Sequence, residues 1–272
     1  MKNILLFIII ILSIQTHAQF YYEIDYTQLD EAKLIAYYSI KYKHDSTNLH
    51  IVREENMILL LGEHLSCYTN YRMYQIKEDT RHFTSLEQSQ QYYLKPNLSA
   101  GRFRYTIFKN YPKDKITFIE KVIDWLKYEE ELKLFDWILL SDTSTIAGYK
   151  VQKATCDFGG RSWVAWFSSE IPFNDGPYKF NGLPGLILKI HDTRMHYVLE
   201  LKSIEKPDKS TPIELEERDY YQTNKLNYYK AKDSFRENIR SYGEAAGLNK
   251  TQLENAVINR SLQNNPIELK QK

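Results

Sequence analysis

Apolar and polar side chains alternate along residues 34–42 of the 272-residue chain. The apolar members of this alternation are Leu34, Ala36, Tyr38, Ile40 and Tyr42. Successive side chains of a β-strand point to opposite faces, so the pattern predicts a strand with one face packed on a core. A shorter alternation at Tyr22, Ile24 and Tyr26 predicts another strand just before it. The folded part of the chain is therefore expected to begin as β-sheet.

Similar patterns predict strands along most of the chain. They fall at residues 57–61, 67–76, 137–140, 146–157, 161–168, 186–190 and 196–201. The short polar or glycine-containing separators at 141–144, 159–160 and 191–194 are typical of hairpin loops. Because a hairpin joins neighbouring strands that run in opposite directions, we expect an antiparallel meander.

Two segments have the period of a helix instead. One apolar stripe with i, i+3, i+4 spacing predicts a middle helix, and its members are Ile116, Ile119, Val122, Ile123 and Leu126. A second set predicts a C-terminal helix that ends near Gly243 or Gly247, and its members are Leu226, Tyr229, Phe235 and Ile239. The polar residues beyond this helix are expected to be loosely held. The predicted fold class is mainly β (α+β): a curved antiparallel sheet or half-barrel meander, with the two helices over its open side.

The N-terminus has the features of a secretory signal peptide at residues 1–18. Lys2 precedes an apolar run at residues 4–14, and the small-residue ending Thr16-His17-Ala18 follows. This run is shorter than the roughly 20 residues that a membrane-spanning helix needs, although an uncleaved anchor is the alternative. We expect cleavage after Ala18 and export to the periplasm or the extracellular space. The mature part, residues 19–272, is expected to be one soluble β-rich domain that does not span a membrane.

The two cysteines of the chain are Cys67 and Cys156. An exported protein meets an oxidising environment, where a disulfide between them is permitted. The alternative is two separately buried thiols on strands, because a bridge requires a Cα spacing that the sequence does not reveal.

Lys and Arg (36) nearly balance Asp and Glu (35), which gives a net charge of +1. Binding to nucleic acid through its phosphates needs a basic surplus, so nucleic acid is not an expected partner. The sequence has neither a P-loop nor a G-x-G-x-x-G motif, and no cofactor is predicted. His191, Asp192 and His196 lack further ligands, so neither a metal site nor a catalytic residue is predicted. Four histidines of the mature part are expected at the surface: His44, His50, His64 and His82.

Residues 171–187 contain the most distinctive motif of the chain. Its centre is the hexapeptide Gly182-Leu183-Pro184-Gly185-Leu186-Ile187, and Gly176-Pro177 precedes it. Pro184-Gly185 fits the two central positions of a type II turn, where the second residue needs φ > 0. A tight chain reversal is the simpler interpretation. The alternative is a binding loop, in which glycines let a ligand or partner approach the backbone closely.

The sequence around this hexapeptide resembles the GLPGLI family of exported Bacteroidetes proteins. The similarity includes residues 146–149, Trp163, Trp166 and residues 265–269, and it is strongest between residues 135 and 205. The resemblance implies an exported, β-rich protein whose biochemical role is not established. It implies no catalytic residue.

Tyrosine is unusually frequent, with 22 residues, and aromatic side chains make up 14% of the chain. Tyrosine favours strands and can bury its ring, so sheet packing accounts for many of them. The alternative is a concave aromatic face that holds a lipid-like, peptide or glycan ligand. The expected function is an exported, non-catalytic binding or carrier protein of the cell envelope, with an unknown ligand.

Two other functions stay open. An interaction module would serve an outer-membrane or envelope assembly, with an envelope protein as its partner, through an exposed strand edge or the motif loop. A hydrolase would use carboxylates of the acidic run Glu129, Glu130 and Glu131. Adjacent carboxylates more often mark a solvated face than a catalytic pair.

Overall fold

The structure is a computed structural model that describes residues 25–95 and 101–269. The predicted signal peptide at residues 1–18 and the first two members of the alternation at Tyr22, Ile24 and Tyr26 lie outside the described residues. The strands are β1 (Tyr26–Glu31), β2 (Leu34–Tyr42), β3 (Arg53–Leu61), β4 (Ser66–Asn70), β5 (Tyr105–Lys109), β6 (Lys115–Lys121), β7 (Trp125–Glu131), β8 (Ile138–Ile146), β9 (Tyr149–Phe158), β10 (Arg161–Ser168), β11 (Leu186–Asp192), β12 (Tyr197–Glu205), β13 (Pro212–Glu216) and β14 (Tyr221–Gln222). The helices are α1 (Tyr71–Thr80), α2 (Leu86–Tyr93), α3 (Lys225–Glu237), α4 (Ile239–Ala245) and α5 (Lys250–Ser261).

Two meanders make up the main sheet. Its strand order is β14-β7-β6-β5-β4-β3-β2-β12-β11-β10-β9-β8, so β2 to β7 form one meander and β8 to β12 the other. The antiparallel pairing of β2 with β12 joins them, and only the short β14 runs parallel to its neighbour β7. A separate two-stranded sheet pairs β1 with β13. The predicted antiparallel meander is confirmed.

The connection between β7 and β8 shows that the main sheet is curved. These strands are ten strand spacings apart in the sheet order, which is roughly 48 Å if the sheet is flat. Only residues 132–137 join them, and a connection of that length spans at most about 25 Å. The sheet must therefore curl so that its two ends approach each other. The predicted curved sheet is confirmed.

The inner side of the curl is filled by aromatic side chains. Phe118 and Tyr128 from β6 and β7 belong to the same core as Trp163 from β10. The loop between β10 and β11 runs into this space, where the ring of Phe180 lies 4.8 Å from the ring of Trp163. Four inward-facing tyrosines are almost completely inaccessible to solvent: Tyr38, Tyr68, Tyr128 and Tyr197. These tyrosines pack the sheet, which agrees with the simpler interpretation of the tyrosine content. The alternative, an aromatic face open to a ligand, is not formed by these four residues.

The predicted middle helix is wrong, because Ile116 and Ile119 lie in β6, Leu126 lies in β7, and Val122 and Ile123 lie in the turn between these strands. Both faces of β6 are covered: Ile116 belongs to the inner core, whereas Ile119 belongs to a second cluster on the outer face. A strand buried on both faces needs no polar alternation. The apolar residues therefore fell by chance into the spacing of a helical stripe.

Two further boundaries differ from the sequence patterns. The strand expected at residues 67–76 ends at Asn70, whose side chain accepts the backbone N–H groups of Arg72 and Met73 at 2.9 and 3.3 Å and so caps α1. Residues 141–144 lie within β8 rather than in a turn. The turn comes later, at Ala147 and Gly148, which both have positive φ.

A C-terminal helix is confirmed, but it is divided at Asn238 into α3 and α4, and the second part ends at Ala245 near Gly247. Helix α5 follows. The expectation of a loosely held end is wrong for residues 265–269, which pack against β10 and the turn that precedes it. Arg161 donates to the carbonyls of Pro266 and Ile267 at 2.7 and 2.9 Å and to Asn265 Oδ1 at 2.6 Å. The C-terminal segment is thus part of the core.

Candidate binding site

An open cleft lies on the outer face of the main sheet, the face opposite the aromatic core. Its cavity volume is about 80 Å³. The floor is made by strands β3 to β6, one wall by α1 and the other by β13. We call it the outer cleft, and its lining residues are Leu60, Cys67, Thr69, Met73, Tyr74, Lys77, Thr106, Phe108, Ile119, Trp125, Pro212, Glu214, Leu215, Glu216 and Tyr220.

The floor of the outer cleft is apolar because β3 to β6 turn their second set of alternating side chains outward. Leu60, Phe108 and Ile119 are at least 97% buried and form one cluster. Trp125 and Tyr220 are half-buried and pack against this cluster from the cleft's edge. The cleft therefore has an apolar base and an aromatic edge, which is the usual composition of a site for a small apolar group.

The charged residues of the outer cleft are paired with each other or with neighbours. Glu214 Oε2 lies 2.8 Å from Lys77 Nζ and 2.6 Å from Arg81 Nη2. Burial raises the pKa of Glu214, but the hydrogen bonds from Arg81 and Lys77 outweigh it and hold the pKa below its ordinary value. Glu216 pairs with Arg218, whose guanidinium lies 4.1 Å from the ring centre of Trp125. These charges stabilise the walls and favour an uncharged occupant.

The two cysteines are free thiols in separate places. Cys67 lies at the floor of the outer cleft, and Cys156 lies in the inner core. Five strands separate β4 from β9 in the sheet order. Burial raises the pKa of each thiol to about 12, so neither is a ready nucleophile.

None of the motif residues lines the outer cleft. Gly182 and Pro184 are exposed, whereas the other members singled out in the sequence are buried: Gly176, Pro177, Leu183, Gly185, Leu186 and Ile187. The chain reverses at Pro184 in a bend in which the Gly185 N–H donates to the Leu183 carbonyl at 2.8 Å. The Leu186 N–H instead donates to the Ile171 carbonyl at 3.0 Å, and φ of Gly185 is +144° rather than about +80°, so the expected type II turn does not form.

Gly185 is required by space as well as by backbone conformation. Its φ is +144°, and a Cβ there would lie 2.1 Å from the Ser168 carbonyl oxygen. A Cβ on Gly176 would likewise lie 2.8 Å from Cβ of Ile187. The glycines of the motif let two stretches of backbone pack closely at the end of β10.

Two buried lysines anchor the segment before the hexapeptide. Lys179 Nζ is inaccessible to solvent and donates to Tyr128 Oη at 3.1 Å, to Glu268 Oε1 at 2.7 Å and to Glu130. Burial lowers the pKa of Lys179, but the two carboxylates overcome this and raise it above its ordinary value. Lys109 bonds Asp175 and donates to the Gly176 carbonyl at 2.5 Å.

These anchors could not be found from the sequence, because Glu130 and Glu268 are 138 positions apart. The acidic run obeys the strand alternation, so only Glu130 turns inward while Glu129 and Glu131 are exposed. Glu130 also accepts from Lys225 at 2.7 Å. Glu130 is engaged by two lysines, and Glu129 and Glu131 lie on the opposite, exposed face of the strand, so the acidic run presents no pair of facing carboxylates and gives the hydrolase hypothesis no support.

The histidines form no cluster with metal-ligand character. His44 is buried, and the expectation that it is exposed is wrong. Asp192, between His191 and His196 in the sequence, is paired with Arg161 at 3.0 Å. Across residues 25–95 and 101–269, no three His, Cys, Asp or Glu side chains are grouped to hold a metal. No helix in the same ranges is long and apolar enough to cross a membrane.

A comparison with known protein families matches the segment that contains the hexapeptide and Lys179. Residues 160–189 match the family model of a protein of unknown function, Porph_ging. The match contains β10, the loop with Lys179 and the hexapeptide, and the start of β11. No curated protein matches the chain.

Two solved structures have a similar fold. They are PNGF-II in a P21 and in a C2 space group, with TM-scores of 0.51 and 0.50 and sequence identities of 13% and 14%. The matches cover 76% and 75% of this chain, but only 34% and 33% of PNGF-II. The chain thus spans about a third of the length of PNGF-II, and at this identity the likeness concerns the fold alone.

Proposed function

We propose that the protein is a non-catalytic binding protein of the cell envelope, and that the outer cleft holds an uncharged apolar or aromatic group of its ligand. The observation that carries this proposal is the apolar cleft on the outer face, with Trp125 and Tyr220 half-buried at its edge, whereas the inner side of the sheet is already filled with side chains. The predicted signal peptide supports an exported location. The resemblance to exported Bacteroidetes proteins agrees with it.

The paired charges of the cleft argue for the chemical class of the ligand. An ionised ligand group would need a free partner of opposite charge, because burying an unpaired charge is costly. Lys77, Glu214 and Glu216 already have such partners. An acyl chain or the apolar side chains of a peptide would need none, since burial of apolar surface is favourable by itself.

A fluorescent apolar probe tests this proposal. N-phenyl-1-naphthylamine is titrated into the purified protein and its fluorescence is followed. The substitution Thr106→Phe places a ring in the outer cleft, and we expect it to weaken binding at least tenfold. Thr143→Phe is the matched control, because Thr143 is exposed on β8 and does not line the cleft.

Trp125 gives a second readout that does not depend on filling the cleft. Probe binding should quench tryptophan fluorescence in the native protein, and Trp125→Phe should remove most of this quenching. Equal binding by the Thr106 and Thr143 variants, or no saturable binding, would rule the outer cleft out as the site.

One observation favours the interaction module as a second candidate. Within the described residues, β8 ends the main sheet with only β9 beside it. Ile138 and Leu139 at its start are 63% and 50% exposed. An exposed edge with apolar side chains can accept a strand from a partner protein.

Site-specific photo-crosslinking tests this second candidate. A photoreactive residue at position 139 should form an adduct with an envelope protein in cells. The same residue at the exposed Thr193, in the turn after β11, is the control. A proline at Thr145 should reduce the adduct if strand pairing forms it, and an adduct of equal yield from both positions would count against the idea.

A further inference from the structure

Two neighbouring loops at one end of the main sheet expose apolar side chains. The first joins β2 to β3, and the second is the turn between β11 and β12. They lie side by side, because β2 pairs with β12 and the Lys43 N–H donates to the His196 carbonyl at 2.9 Å. We call residues 43–52 and 193–196 the tip loops. Their exposed apolar side chains, with the exposed fraction of each residue, are Leu49 at 38%, Ile51 at 44%, Val52 at 54% and Met195 at 46%.

The first tip loop is fixed at its base and exposed beyond it. Asp45 Oδ1 accepts the Thr47 N–H at 2.9 Å and the side-chain amide of Asn264 at 3.1 Å. Asn264 in turn accepts the Ser46 N–H at 2.7 Å. Residues 48–52 are exposed. Burial of apolar surface is favourable, so exposed apolar side chains that share one site indicate a contact surface.

Met195 occupies a turn position that suits other residue types. Its φ is +54°, a conformation that glycine and asparagine adopt more easily. The Met195 N–H donates to the Asp192 carbonyl at 2.9 Å. Asp192 Oδ1 also accepts the N–H groups of His196 and Tyr197 at 2.7 and 2.8 Å, so the turn is fixed. An exposed apolar side chain at a strained position costs stability in the isolated chain, which points to a role in binding.

Basic side chains accompany the apolar ones. Lys43 and Arg194 lie in the tip loops, and Arg53 directly follows the first of them. Among the described residues, none of these three side chains takes part in an ion pair. Glu54, the acidic neighbour of Arg53, lies 3.6 Å from Lys202 instead. The positive charge of this end of the sheet is therefore available to an external partner.

We propose that the tip loops bind the surface of a membrane that contains anionic lipid, with their apolar side chains in the headgroup region. Apolar side chains gain free energy when they leave water for this region, and each basic residue near an anionic surface adds to the attraction. A protein partner would also cover apolar side chains, but the unpaired basic residues favour an anionic surface. The net charge of +1 makes this attraction local to the tip loops. Neither tip loop lines the outer cleft, so the proposal is independent of the proposed function.

Vesicle flotation with the purified protein tests the proposal. The vesicles contain equal parts of phosphatidylglycerol and phosphatidylcholine, and vesicles of phosphatidylcholine alone are the reference. We expect the native protein to bind the anionic vesicles more tightly, and high salt to weaken this binding. Ile51→Ser should weaken it about tenfold, and Arg194→Gln about fivefold. Leu226→Ser and Lys206→Gln are the matched controls and should bind like the native protein, because both residues are exposed outside the tip loops.

Met195→Asn separates binding from a role in folding. Asparagine accepts a positive φ more easily than methionine, so this variant should melt at no lower temperature than the native protein. It should nevertheless bind the anionic vesicles less tightly, because it removes an apolar side chain from the surface. Unchanged melting together with unchanged binding would contradict the proposal.

An environment-sensitive label shows which surface enters the membrane. Ile51→Cys and Lys206→Cys are labelled with nitrobenzoxadiazole, and the native thiols Cys67 and Cys156 are buried and react slowly. On anionic vesicles the fluorescence of the label at position 51 should shift to the blue and increase. The label at position 206 should not change.

Three results overturn the proposal. The first is the absence of binding to the anionic vesicles. The second is a loss of binding in Leu226→Ser and Lys206→Gln that equals the loss in Ile51→Ser. The third is an adduct in cells between a photoreactive residue at position 51 and an envelope protein, without any vesicle binding, which would assign the tip loops to a protein partner.

Discussion

At the scale of single residues, the molecule depends on a few buried charges that hold distant segments together. Lys179 connects β7, through Glu130, with the C-terminal segment, through Glu268. Lys225 reaches the same two carboxylates from α3 and is partly exposed. Removing one partner of such a network leaves the others buried without compensation, which is where point substitutions have their largest effect.

Lys179→Met keeps the length and apolar stem of the side chain but removes its charge. We expect it to lower the free energy of unfolding by about 3–5 kcal/mol, because Glu130 and Glu268 lose their central partner. Lys206→Met, at an exposed position, should change it by less than about 0.5 kcal/mol. Urea denaturation measures both, and equal effects would show that Lys179 is not an anchor.

The lowered pKa of Glu268 predicts how the free energy of unfolding depends on pH. Burial raises its pKa, but Lys179 and Lys225 outweigh burial and lower the pKa from 4.5 to about 2. Its contribution is therefore complete above pH 4.5 and is lost as the pH falls from 4.5 towards 2. The stability difference between the native protein and Glu268→Gln should shrink over this interval. A difference that stays constant would contradict the ion-pair role.

At the scale of elements, the sequence predicted best where apolar and polar side chains alternate along a strand. The bounds of β2 and β10 agree with the alternation of their residues, although both faces of β2 are largely buried. The pattern failed at β6, where apolar residues on both faces have the spacing of a helical stripe, and at α1, whose start depends on one asparagine cap. Of the candidate site, the sequence identified the motif, but it did not identify the outer cleft. That cleft forms from α1, β13 and four strands whose contacts are set by the tertiary fold.

The bend of the motif predicts that its two glycines, Gly182 and Gly185, tolerate an added side chain differently. Gly185→Ala should destabilise by about 3 kcal/mol or more, because its Cβ would collide with the backbone of Ser168. Gly182→Ala also meets a positive φ, of +90°, but its nearest neighbour is Trp137 at 3.9 Å. Only backbone strain of about 1–2 kcal/mol is then expected. Thermal or urea unfolding compares the two, and equal losses would contradict the close packing at Gly185.

At the scale of the whole molecule, one curved sheet has two differently used faces. The inner face is filled by the loop between β10 and β11 and by the C-terminal segment. The outer face carries a second core and leaves the outer cleft open. A tyrosine-rich sheet is compatible with either an open or a filled inner face, so the aromatic content could not show which face remains free.

The positions of the cysteines on these two faces lead to a prediction about the whole chain. Cys67 and Cys156 should both react as free thiols after denaturation, and the intact mass should show no loss of two hydrogen atoms. In the native protein both thiols should react slowly, because each is buried. A disulfide-linked product within one chain would contradict the placement of the cysteines on opposite faces.

Hydrogen–deuterium exchange in the presence of the apolar probe tests the two-face arrangement most directly. With saturating N-phenyl-1-naphthylamine, backbone amides of α1 and β13 should become protected, because they form the walls of the outer cleft. Amides of residues 171–187 should exchange as they do without the probe. Protection confined to residues 171–187, with α1 and β13 unchanged, would place binding at the motif and contradict the outer cleft as the binding site.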